Sequence, residues 1–177
     1  ASALTAPIPS GMAIASVLSC AIFAAISGSS PVTLIAVGTI LYPALIEKGY
    51  SKKLSVGMLS AGGTLGIIIP PSIPMIIFAI MAGVSVTKLF MAGIGPGILL
   101  SSLLIGYAII AGPGFSQRGK WDFQEVIKVT KSGILSLMMP VVILGGIYSG
   151  FFTATESAGI AVVYAFLVEA FIHRELK

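Results

Sequence analysis

The chain has 177 residues, 56% of them apolar and only 9% charged, against roughly 25% charged in a soluble domain. Its charges leave long empty runs at 1–46, 54–87, 89–117, 132–155 and 157–168, and about 18 such residues already make a candidate membrane span. A soluble domain is excluded, and so is a nucleic-acid partner for the net charge of +4, because the basic residues flank apolar segments as they do at the cytoplasmic ends of spans.

The chain opens at Ala1 inside an apolar region, without an initiator Met or a signal-peptide pattern, so a piece of a longer protein is expected. Residues 11–26 form an apolar helix of roughly 24 Å, short of a hydrocarbon core about 30 Å thick. Ser27-Gly28-Ser29-Ser30-Pro31 then breaks the helix and starts another. Ser30 is the expected N-cap and Pro31 the first helical residue. A second short arm follows over 32–46. Two short arms joined by a polar turn predict a re-entrant hairpin, with two full crossings as the alternative.

The next uncharged run, 54–87, would measure about 51 Å as a straight helix, too long for one span and too short for two. One crossing that unwinds in the middle resolves the arithmetic. The unwinding is expected over Gly66–Ser72, where Gly62, Gly63, Gly66, Pro70 and Pro71 gather. Residues 89–111 make another span, ended by Gly112-Pro113-Gly114. The mixed segment 121–132 (WDFQEVIKVTKS) predicts a helix lying at the interface. Spans over 133–149 and 157–172 follow. With the hairpin starting inside, every Lys and Arg except Lys88 falls on the cytoplasmic side.

Enzyme signatures are missing: there is no HExxH metal motif and no GxSxG nucleophile elbow. Cys20 is alone in an apolar run, which rules out a disulfide framework. His173, Glu47 and Glu169 lie at membrane edges, and Glu156 with Thr153 reads as a helix cap. What remains is the pair of breaks, Ser27–Pro31 and Gly66–Ser72. Backbone unwound at membrane depth is tolerated only inside protein or along a cavity. Half-helix N-termini then face anions, while unwound carbonyls hold Na⁺. The bland alternative, a proline kink with glycine packing, explains many single breaks, and here there are two flanked by hydroxyl residues.

The segments SGSS at 27–30, GTLGIIIPPSIPMIIF at 63–78, LFMAGIGPGILL at 89–100 and ILGGIYSGFFTATESAGIAVVYAF at 143–166 resemble the large membrane subunit of tripartite ATP-independent periplasmic (TRAP) transporters. The resemblance implies an all-α integral membrane fold of the elevator type, in a bacterial or archaeal cytoplasmic membrane. It implies import of organic acids such as C4-dicarboxylates or sialic acid, driven by a Na⁺ gradient. A periplasmic binding protein would deliver the substrate, and a small membrane subunit would complete the complex. Residues 1–111 would be the first-repeat transport core (hairpin 11–48, broken helix 54–87, span 89–111). Residues 112–132 would be a cytoplasmic loop with an interfacial helix, and 133–177 the first spans of the second repeat.

Carried over by the resemblance, the sodium site falls on Ser27, Gly28, Ser29, Gly66, Ile69 and Pro71, partly through backbone carbonyls. Ser30, Pro70 and Ser72 go to the substrate anion. No arginine lies near either break, so N–H groups, bound cations or residues beyond Lys177 must hold that anion. An internal likeness at an offset of 122 residues, pairing Ser27-Gly28 with Ser149-Gly150, is set aside because the family places the helix around Thr155 in the scaffold. A non-transporting structural subunit and a passive channel stay open as alternatives.

Overall fold

The computed structural model describes residues 10–112 and 123–173, with 123–132, 136 and 171–173 by backbone alone. Every regular element among the described residues is helical. In chain order these are α1 (Gly11–Ser27), α2 (Ser30–Glu47), α3 (Lys52–Gly63) and the single turn α4 (Leu65–Ile68). α5 (Ile73–Ala82), α6 (Val86–Ala111), α7 (Phe123–Tyr148) and α8 (Ala154–Leu167) follow, the last passing into a π-helical turn over Val168–His173. α2 and α6 are each long and apolar enough to cross a membrane. α3–α4 and α5 are long and apolar enough only when taken together, as a broken span or a re-entrant loop bent by 41° at its break, and α1 is a shorter apolar helix.

α1 ends where Gly28 turns into the left-handed region (φ 60°) and donates its N–H to Ala24 O at 2.8 Å. Glycine takes that conformation without a Cβ penalty, which is why it closes helices. The turn is so tight that only Gly28 and Ser29 separate the two helices. Ser29, not Ser30, is therefore the N-cap of α2; Pro31 sits in its first turn, and no side chain caps the helix.

The arms fold back on each other along α3. A Cβ on Gly62 would lie 2.9 Å from Cys20 Sγ, and one on Gly63 would lie 3.0 Å from Leu34 Cβ. One level of α3 thus touches both arms, and bare glycines allow the approach. Ala13, Val17, Cys20 and Ala24 repeat at helical spacing along α1 and are all fully buried. They form the core with Leu45, Met58, Leu59 and Leu65. Ile77, Phe78, Ile80 and Met81 of α5 point outward instead, as suits a surface facing hydrocarbon or further protein.

The break in the long crossing is narrower than the expected Gly66–Ser72. Gly66, Ile67 and Ile68 stay helical, Ile69 is extended (φ −78°, ψ 123°), and the helix resumes at Ile73. A proline disfavours the α region at the residue before it, and two in succession also remove two helical donors, so the helix survives up to Ile68 and stops there. The Pro70–Pro71 peptide is cis. The crossing also ends sooner than residue 87. Gly83 (φ 64°) closes α5, and the Ser85 hydroxyl accepts from Lys88 N at 3.4 Å to start α6 at Val86.

α7 runs without interruption across 132–133, where an in-plane helix and a span were expected to meet. Only Gly133 stands near that boundary, and a lone glycine weakens a helix without ending it. α8 begins with the capping box read in the sequence: Thr153 N donates to Glu156 Oε2 at 2.8 Å, and Glu156 N to Thr153 Oγ1 at 3.3 Å. Tyr164 donates its hydroxyl to Leu135 O at 2.7 Å, tying α8 to α7. Phe90, Ile143, Ile147 and Ala161 form a second buried cluster that joins these helices to α6. Arg118, Lys120, Arg174 and Lys177, which enter the orientation count, lie outside the described residues.

Candidate functional site

The two breaks meet. Ile73, the first residue of α5, donates its N–H to Gly28 O at the hairpin tip, 3.1 Å away. A Cβ on Gly28 would fall 2.7 Å from Pro71 O, and one on Gly66 would fall 2.6 Å from Ser29 O and 2.9 Å from Ser30 N. The hairpin tip thus presses a glycine against the break, and α4, just before the break, presses one against the tip. Residues some 40 positions apart become one backbone-lined centre.

Prolines decide which carbonyls are left over there. A helical C=O is satisfied by the N–H four residues on, and proline has none. Ser27 O, Gly66 O and Ile67 O, in the last turns of α1 and α4, thus have no N–H four residues on, because Pro31, Pro70 and Pro71 stand there. These neutral oxygens are hard ligands. Among the described residues no group of His, Cys, Asp or Glu can hold a metal, so charge-rich metal sites have no donors in this centre. Uncharged oxygens suit a weakly demanding monovalent cation, and the donor set fits Na⁺ by chemistry.

The hairpin tip closes much of its own polarity. The Thr33 hydroxyl, fully buried, donates to Ser29 O at 2.8 Å and lies 2.8 Å from Ser27 Oγ. Thr33 N donates to the same Ser29 O at 3.0 Å, and Ser29 N reaches Ser27 Oγ at 3.4 Å. Ser27 can donate to Thr33 Oγ1 while Thr33 donates to Ser29 O, and such chains of hydroxyls polarise one another. With Ser27 Oγ also 3.3 Å away, Ser29 O is already well supplied with donors. Thr33 is absent from the candidates read in the sequence. Its signal was a hydroxyl one helical turn beyond Ser29.

The N–H groups expected to face an anion are fewer than the sequence suggests. At α5, Ile73 N is spent on Gly28 O, Pro74 has none, and Ile76 N goes to Ser72 O at 3.1 Å. Met75 alone of that turn keeps its N–H for another partner. Ser72 is fully buried, and its hydroxyl has no hydrogen-bond partner. It lines a cavity of about 200 Å³ with Ser27, Gly28, Pro71, Phe90 and Ile143.

Ser27, Gly28, Ser29, Ser30, Gly66, Pro71 and Ser72 are thus brought together. Ile69 and Pro70 diverge from them: they line a separate apolar groove of about 330 Å³ with Ala21, Ala25 and Gly97. The change of side therefore falls between Pro70 and Pro71, and Pro70 does not share the cavity of Ser72.

The family described as "Tripartite ATP-independent periplasmic transporter, DctM component" matches residues 1–177. The chain is 43% identical over 169 residues to the "C4-dicarboxylate TRAP transporter large permease protein DctM" of Vibrio cholerae, covering 94% of this chain and 37% of that protein. It is 38% identical over 177 residues to the "Isethionate TRAP transporter permease protein DctMQ" of Oleidesulfovibrio alaskensis, covering 96% and 27%. It is also 38% identical over 174 residues to the "Ectoine TRAP transporter large permease protein TeaC" of Halomonas elongata, covering 96% and 40%. The chain spans between a quarter and two fifths of the length of these relatives.

Proposed function

Since the chain belongs to the DctM-component family of tripartite ATP-independent periplasmic transporters, we propose that it forms part of the large permease of a sodium-coupled importer in a bacterial inner membrane. Its substrate class is a small organic acid, a C4-dicarboxylate or a sialic-acid-like anion, delivered by a periplasmic binding protein. A small membrane subunit completes the complex. The relatives named for dicarboxylate, isethionate and ectoine support the transporter class and leave the particular acid open.

The observation that carries this reading is the contact between the breaks, centred on the 3.1 Å hydrogen bond from Ile73 N to Gly28 O. A kink serving packing alone needs no second break against it. Bound Na⁺ would supply positive charge among the carbonyls that prolines leave without donors. Ser27 and Gly66 would offer carbonyls to it, and Ser29 a hydroxyl from the hairpin tip. Ser72, facing the cavity, offers an uncharged polar group to the substrate, as does the Met75 N–H at the positive end of α5. In this reading α1–α2 form a re-entrant hairpin that moves with the broken crossing as an elevator, while α7 and α8 belong to the next repeat.

The test is uptake by the complete transporter in proteoliposomes, with binding protein present. Replacing external Na⁺ by K⁺ is expected to reduce initial uptake at least about tenfold, and an inward Na⁺ gradient to drive accumulation above the external concentration. Uptake that only equilibrates and ignores Na⁺ would point to a passive channel. No uptake under any gradient, with the complex intact, would point to a structural subunit.

A further inference from the structure

We propose that Gly93 and Gly97 of α6, which lie outside both breaks, are positioning residues that set where the unwound backbone rests; the inference builds on the sodium-site reading. Four residues apart, the two stand one above the other on a single helix face, and both are buried. A Cβ on Gly93 would come 2.9 Å from Ile68 O and 2.6 Å from Met75 Cε. A Cβ on Gly97 would come 3.0 Å from Ile69 Cγ1. These contacts straddle the break, with Ile68 before it, Ile69 at its start and Met75 after it. One bare face of α6 therefore holds both halves of the crossing at their separation.

Composition alone does not explain the arrangement. Gly95 and Gly106 lie on the same helix, and a Cβ on either would meet nothing within 4 Å. The Met75 methyl can rotate away from a new neighbour, but the Ile68 carbonyl belongs to the backbone and cannot. Pushing it tilts the Ile68–Ile69 peptide and moves the carbonyls of the break, because a packed interior transmits such shifts. Outer groups that only orient metal ligands commonly control affinity by 10- to 100-fold. Gly93 acts in that way, through Ile68, and touches neither ion nor substrate.

The experiment measures sodium activation of uptake in the complete reconstituted transporter, with sodium-induced thermal stabilisation as a second readout. Gly93→Ala is expected to raise the sodium half-saturation about tenfold while the rate at high sodium recovers to at least about half of wild type. Gly97→Ala, which meets a side chain that can turn, should raise it about twofold, and Gly95→Ala should leave it unchanged. Adding Met75→Ala to Gly93→Ala should not restore the wild-type value, since the backbone carbonyl is the obstacle. If the double variant is restored, Met75 was the contact and the proposal is overturned. An unchanged half-saturation in Gly93→Ala, or a lower maximal rate alone, overturns it too. If Gly93→Ala does not fold, an unshifted curve for Gly97→Ala does so. A wild type indifferent to sodium removes the parent reading and this inference together, and that result is read before any variant is made.

Discussion

At the hairpin tip the chain answers its own polar groups, and at the break in the long crossing it leaves them open. Ser27, Ser29 and Thr33 bind one another through hydroxyls, amide and carbonyl within one turn. The Ile69–Ser72 break has no such side-chain bonds: two prolines take away donors, and the Ser72 hydroxyl is buried without a partner. A buried hydroxyl left unpaired costs about 1–3 kcal/mol, so the second break carries the larger unmet demand. The contrast teaches a division of labour. A self-satisfied tip is a firm wall, and an unsatisfied stretch beside it is where a ligand gains most by binding.

The largest effects should come from the glycines where the two breaks touch, since a side chain there attacks both at once. Gly28→Ala places a Cβ at φ 60° and 2.7 Å from Pro71 O. The left-handed conformation alone costs roughly 1–2 kcal/mol. Gly66→Leu crowds Ser29 O in the same way. Uptake by either variant should be lost, and raising sodium should not rescue it. Recovery of the wild-type rate at high sodium would mean that the breaks need not stay in contact.

Thr33→Val tests the firm side of the contrast. It keeps the shape and removes the hydroxyl that links Ser27 to Ser29, so the transporter should lose about 1–2 kcal/mol of stability. The thermal midpoint in detergent should fall, while Thr33→Ser retains most of it. An unshifted midpoint in Thr33→Val would show that the tip does not depend on its hydroxyl chain.

The two tip serines should separate. Ser27→Ala breaks the same chain and should lower the thermal midpoint. The Ser29 side chain does not cap α2, so Ser29→Ala should leave the midpoint alone and raise the sodium half-saturation about fivefold, a loss near 1 kcal/mol. Equal behaviour of the two variants in both assays would erase the distinction between wall and ligand.

The smallest change is expected from Ser72→Ala, which deletes the unpaired hydroxyl itself. Stability should hold or rise by up to about 1 kcal/mol, because a buried polar group without a partner is removed. Substrate half-saturation should rise about threefold if that hydroxyl is completed by substrate, a loss of under 1 kcal/mol. A drop in the thermal midpoint would place Ser72 with the structural hydroxyls instead.

The positions of both breaks were legible because helix-breaking residues cluster there: Ser27–Pro31 joins a glycine to a proline, and Pro70–Pro71 is a pair, whereas the lone Pro43, Pro96 and Pro140 lie inside α2, α6 and α7. The structure moves the expected boundaries only a little, to Ser29 and to Ile69. The capping box at Thr153 and Glu156 was legible as well. The boundary between α7 and a separate in-plane segment was not, because mixed polarity says which way residues face and does not bend a backbone. The divergence of Pro70 from Ser72 was equally hidden, since which side of the break each residue faces depends on the helices packed around it.

By itself, then, the sequence determined that this chain is apolar enough for a membrane and that its helices break at Ser27–Pro31 and near Pro70–Pro71. Those are consequences of composition and of clustered helix breakers, acting within a few residues. Only the tertiary structure decided that Gly28 meets Pro71, that Gly66 meets Ser29, that Thr33 closes the tip and that Gly93 and Gly97 carry the unwound backbone. These contacts join segments far apart in the chain, and their geometry comes from how close bare glycine faces let separate helices approach.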